Sequence, residues 1–178
     1  MKQKTVLFSL LLLIFATFSC EFEDDDIFDD GNKGNSYLQI RLTDNPLNVD
    51  QVNIDLLQVS VKTKQSSGFI PLNTYAGIYD LLKYQAGQDT LIVNDTLPAG
   101  EIQELRLLLG PDNTIMVDSV LYPLKVPSGL SSGIKIKFTK IMVQDSLTNV
   151  TIDFDAQKSV VEQGNGGYLL KPVIQAIL

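Results

Sequence analysis

From Tyr37 onward, apolar and polar residues alternate almost one for one, in short runs separated by turn residues. A strand sends successive side chains to opposite faces, so this period of two describes half-buried strands. Leu38, Ile40 and Leu42 alternate with Gln39 and Arg41; Ile134-Lys-Ile-Lys-Phe138 and Val150-Thr-Ile-Asp-Phe154 do the same. Ile102-Gln-Glu-Leu-Arg-Leu-Leu-Leu109 passes for a helix by composition. Gly110-Pro111-Asp112-Asn113 stops it after eight residues, however, which predicts a strand with Leu105, Leu107 and Leu109 inward.

The remaining runs fit the same scheme. Between Val52 and Lys64 the parity shifts: Ile54 and Leu56 face one way, then Leu57, Val59 and Val61 continue one residue out of step. A one-residue slip inside a strand predicts a β-bulge at Leu56-Leu57. Phe69-Ile-Pro-Leu72 starts a return, and Gly77–Leu82 reads as a short strand or a single turn. Thr90–Val93 is a brief strand ended by a turn at Asn94-Asp95. Thr114–Val117 and Tyr122–Val126 flank Asp118-Ser119 as a hairpin. Tyr168–Leu178 is one last strand, which Pro172 confines to an edge or a bulge. Seven to nine strands with turn signals about every ten residues predict an all-β, two-sheet Greek-key sandwich over residues 37–178. A closed barrel is the lesser option. No solenoid-type repeat is present.

The start of the chain has a different character. Lys2 and Lys4 precede an apolar run of thirteen residues, Val6–Phe18, shorter than the roughly 20 a spanning helix needs. Residues 1–19 therefore read as a signal peptide. Thr17 and Ser19 are small and precede Cys20, the only cysteine. The junction resembles a lipobox, with Thr17 where Leu is usual, and implies that Cys20 carries a diacylglycerol and a further acyl chain such as palmitate. At ~0.8 kcal/mol per buried CH₂, such chains hold a protein to a bilayer. The other reading is a secreted protein with a bare Cys20. Seven carboxylates follow in residues 21–30, then Gly31-Asn-Lys-Gly-Asn-Ser36. Residues 20–36 read as the lipidated cysteine and a disordered acidic tether, reaching about 20–25 Å. Acidic residues directly after a lipidated cysteine resemble export signals for the outer face of a Gram-negative outer membrane. The expected location is thus the cell envelope, anchored to the outer membrane and open to surface display.

The chain carries −7, but residues 21–36 alone supply −6. Residues 37–178 hold eleven Lys/Arg against fourteen Asp/Glu, which suggests no basic patch and no nucleic-acid partner. There is no histidine, and no cysteine after position 20. The usual zinc ligand sets, His-based triads, cysteine nucleophiles and disulfide frameworks are excluded.

Several segments together resemble a known family: Thr43-Asp-Asn-Pro46, Tyr79-Asp-Leu-Leu82, Leu97-Pro-Ala-Gly100, Val117-Asp118 with Tyr122-Pro-Leu-Lys-Val-Pro-Ser128, Asp153-Phe-Asp-Ala156 with Ser159-Val160, and Gly164-Asn-Gly-Gly-Tyr-Leu-Leu-Lys-Pro-Val173. The set is similar to the prokaryotic lipoprotein domain known as domain of unknown function 4382. The resemblance implies an exported sandwich of the transthyretin or immunoglobulin-like kind, with no established activity. Asp118-Ser119 departs from the Asp-Gly common in that family, and the Ser weakens a tight turn.

Candidate sites are few. Asp153 and Asp155 share a strand face, where paired carboxylates can bind calcium or act as acid and base; the alternative is a plain solvent face. Asp44, Asn45, Asn48 and Asp50 offer oxygens for calcium within seven residues, without the closing Glu of an EF-hand. Tyr75, Tyr79, Tyr84 and Tyr122 are candidates to stack on a glycan, against a default of burial with a bonded hydroxyl. The expected function is a non-catalytic binding or adhesion module with a glycan or protein ligand. The alternative is a structural accessory subunit of an envelope complex. A carboxylate-based or calcium-dependent enzyme is a remote third.

Overall fold

The computed structural model describes residues 34–45, 47–127, 132–164 and 166–178. The segments expected to be a signal peptide (residues 1–19) and a tether from Cys20 lie outside the described residues, apart from the last three positions, 34–36, and so does Pro46. The chain divides into Met1–Asn32 and Lys33–Leu178, and the second unit is all-β.

Thirteen strands occur among the described residues. They are β1 (Asn35–Thr43), β2 (Gln51–Thr63), β3 (Ile70–Pro71), β4 (Gly77–Asp80), β5 (Thr90–Pro98), β6 (Gly100–Leu109), β7 (Thr114–Val117), β8 (Val120–Lys125), β9 (Ile134–Met142), β10 (Leu147–Phe154), β11 (Val160–Glu162), β12 (Tyr168–Leu170) and β13 (Ile174–Ile177). One turn of 3₁₀ helix (Leu81–Tyr84) follows β4, and one turn of α-helix, α1 (Ala156–Ser159), follows β10.

Two mixed sheets result. The smaller runs β13-β10-β1-β5, with β1 and β10 parallel. The larger runs β11-β12-β8-β7-β2-β6-β9, with β3 and β4 also on β2. Leu56 pairs with both Leu109 and Gly77, Asn53 with both Thr114 and Asp80, and Ser60 with both Arg106 and Pro71. Hence β6 and β7 share one edge of β2, and β3 and β4 share the other. The inner faces meet in one core, to which β1 gives Leu38, Ile40 and Leu42, β2 gives Val52, Ile54 and Leu56, β6 gives Leu105 and Leu107, and β10 gives Val150, Ile152 and Phe154.

The β2 slip is real. Leu56 opposes Leu109 and Gln58 opposes Leu108, so Leu57 is the extra residue. It points outward and is exposed, while Val59 and Val61 return to the core; the expectation that Leu57 faces inward is corrected. A second slip lies opposite β1. Ile40 pairs with Val93 and Arg41 with Leu91, so Ile92 bulges and both Ile92 and Val93 are buried. The expected turn at Asn94-Asp95 does not occur. Pairing with β1 carries β5 straight through to Pro98, because strand partners satisfy the backbone better than a local Asx turn. The strand expected over Tyr168–Leu178 is two strands. Pro172 interrupts it, β12 stays in the larger sheet, and β13 crosses to an edge of the smaller one.

Candidate functional site

At the end of β1, Asp44 turns back into the protein and is buried. Its Oδ1 accepts from the Ala156 backbone N–H at 2.8 Å, and its Oδ2 from Gln85 Nε2 at 3.0 Å. Burial pushes its carboxyl above the ordinary range, more than these hydrogen bonds lower it; the neighbouring Asp153 charge adds to the rise. Because β1 and β10 are parallel, the same end of the sheet carries Asp153. Asn45 Nδ2 donates to it at 3.1 Å and Gln175 Nε2 at 2.9 Å. Asp155 follows as the N-cap of α1, accepting from the Lys158 N–H at 3.0 Å and from Lys158 Nζ at 2.6 Å. The Lys158 ammonium bond holds the Asp155 carboxyl below its usual value, against the opposing effect of burial.

Asp153 and Asp155 are both buried, which overturns the plain solvent face. Asn45 and Gln175 cover Asp153, and Asp155 lies beyond the strand. The Asp44–Asp50 turn also separates. Asp44 bonds inward, whereas exposed Asp50 accepts from the Ser119 N–H at 2.7 Å. Asp44, Asp153 and Asp155 thus come together and Asp50 does not. Their oxygens already accept N–H bonds, and among the described residues no group of three or more Asp, Glu, His or Cys is arranged to hold a metal ion. Beside them lies a small hollow of about 140 Å³ lined by Asp155, Lys158, Val173, Ile174 and Gln175. The cluster ties the ends of β1, β10 and β13 to α1 and the segment after the 3₁₀ turn. It is built to hold loops still.

The tyrosines divide into two sets. Tyr79 packs on the core, its hydroxyl donates to the Tyr75 carbonyl, and its ring lies 6.3 Å from that of Tyr84. Burial raises the Tyr79 phenol. Tyr122 instead meets Tyr168 edge-on at 5.2 Å, on the opposite side of β2. Only Tyr75 of the four candidates is exposed. Gln85 and Gln175 went unremarked in the sequence, since glutamines in a loop and near the chain's end carry no local signal.

The charges are less evenly spread than their tally suggests. Ser60, Arg106 and Lys135 form one cross-strand row on the outer face, and Lys62, Glu104 and Lys137 the next. Four cations and one carboxylate thus share two neighbouring rows of this face. Arg106 lies over the Phe69 ring at 4.5 Å, with Lys135 at 5.8 Å.

The model of the family described as Domain of unknown function (DUF4382) matches residues 35–172. The chain belongs to that family. The match begins at the first residue of β1 and ends at Pro172, so Gln175 on β13 lies beyond it. No curated protein and no solved structure matches the chain significantly. Among the described residues, no helix is long and apolar enough to cross a membrane.

Proposed function

We propose that this DUF4382 protein is a cell-envelope lipoprotein: a signal peptide over residues 1–19, an acylated Cys20 on the outer membrane of a Gram-negative bacterium, and a tethered, non-catalytic binding module. In this reading the two sheets form a Greek-key sandwich of the transthyretin or immunoglobulin-like kind. The observation that carries it is the bonding of Asp44, Asp153 and Asp155. Their hydrogen-bonded oxygens fix the loops at the end of the domain opposite Asn35, and fixed loops lower the ordering cost of capturing a ligand. Exposed Tyr75 offers an aromatic face for a sugar ring.

The test is glycan-array binding by the full chain alongside Tyr75→Ala. Binding that falls at least tenfold in the variant, with an unchanged melting temperature, supports the module. Equal binding by the two chains removes Tyr75 from the site.

A second reading, an accessory subunit joined by strand addition, draws on β13. It is an edge strand, Ile-Gln-Ala-Ile, without the lysines that line edge strand β9. Loss of a stoichiometric co-purifying partner on Ile177→Lys supports it.

A further inference from the structure

Among the described residues, five of the twelve exposed large hydrophobics gather at one corner: Tyr37, Ile141, Val143, Leu147 and Leu178, each more than half exposed. Ile141, Val143, Leu147 and Leu178 line a shallow groove of about 430 Å³ with Lys140 at its rim. Tyr37 adjoins it, being the cross-strand partner of Leu147. Exposed apolar residues scattered singly mean little, but a cluster drawn from β1, β9, β10 and the end of β13 marks a contact surface. The chain enters the domain at this same corner. The Gly34 carbonyl accepts from the Ala99 N–H at 2.8 Å, the Asn35 carbonyl accepts from the Asp145 N–H at 2.8 Å, and the Gln144 side chain packs where a Cβ on Gly34 would stand.

We propose that this corner seats in the lipid surface that holds Cys20, with Tyr37 and the four aliphatic side chains in the interface and Lys140 reaching its headgroups. The inference rests on the lipid-anchor reading. Cys20 lies fourteen positions before Gly34, a span of at most about 50 Å, so the corner is the part of the domain held nearest the acyl chains. An apolar body with a polar tip, as in Tyr and Lys, suits a bilayer interface. Seating this corner turns the Asp44, Asp153 and Asp155 end outward, because β1 and β10 both run from the corner to that end.

The experiment uses the chain's lack of other cysteines. The full chain carrying Val143→Cys or Leu121→Cys is expressed in a Gram-negative host and purified from its membranes. It is then reacted with a nitroxide reagent and reconstituted in vesicles of phosphatidylethanolamine and phosphatidylglycerol. Leu121 is an exposed control on the β7–β8 hairpin, which bonds to Asp50 beyond the far end of β1. One label per chain shows an acylated Cys20; two labels show a free thiol and overturn the anchor without touching the fold. With the anchor intact, the position 143 label is expected to be at least fivefold less accessible to aqueous nickel than the position 121 label, and Ile141→Asp with Leu147→Asp to abolish the difference. Equal accessibility at the two positions overturns the seating. Protection that persists in the aspartate variants, or grows with the number of chains per vesicle, overturns it in favour of a protein contact.

Discussion

Asp44 shows how much one side chain can hold. Its Oδ1 is the partner of the buried Ala156 N–H, and an orphaned buried donor costs about 1–3 kcal/mol. Asp44→Ala is expected to lose that much in urea unfolding. The two perturbed carboxyls also give opposite pH signatures. The raised Asp44 pKa means the folded protein holds that proton more tightly, so the ionised form costs stability as pH rises through the folded value. Asp44→Asn should therefore gain on the wild type as pH rises from the ordinary carboxylate range through the raised folded value. Asp155 is held below 3.8, so its contribution is present above that value and fades as pH falls through the folded pKa. Asp155→Asn should flatten the acid limb of a melting-temperature series while keeping the α1 cap, because an Asn oxygen accepts from the Lys158 N–H as well as a carboxylate does. The carboxylates themselves were legible in the sequence as Asp44, Asp153 and Asp155. Their partners were not, since Gln85 lies 41 positions from Asp44 and Ala156 lies 112 away.

At the scale of elements, the hairpin between β7 and β8 turns through Asp118 and Ser119, both at positive φ, 49° and 65°. Two consecutive left-handed residues make a type I′ turn, where Gly is preferred at the second position. Holding a non-Gly residue there costs on the order of 1 kcal/mol, offset in part by the greater unfolded freedom of Gly. Ser119→Gly is expected to stabilise by about 0.5 kcal/mol in chemical unfolding, keeping the Asp50 bond because it uses the backbone N–H. The break between β6 and β7 is fixed differently. Buried Asn113 accepts from the Asp55 N–H at 2.9 Å and donates to the Gly110 carbonyl at 2.6 Å, so both halves stay on one edge of β2. The β2 bulge was readable because apolar parity records it. The extension of β5 was not, because Asn94 and Asp95 carry a turn signal that only a partner strand overrides.

For the whole molecule, the core is the deciding quantity. Phe154 is a large, fully buried side chain at the end of β10, in sequence between Asp153 and Asp155. Phe154→Ala is expected to cost about 3–5 kcal/mol, read as a fall in the denaturant midpoint with the slope little changed. The sequence by itself determined that this domain is all-β, most of the side chains that line its core (Leu57 being an exception) and where β2 slips, because period-two burial is written locally along each strand. Tertiary structure alone decided that β1 lies parallel to β10, that Pro172 sends the last strand to the other sheet, and that distant carboxylates and amides meet at one end. Those outcomes depend on which strands become neighbours. Pairing over a hundred residues of separation is set by the mutual fit of faces and edges, which no local stretch of sequence records.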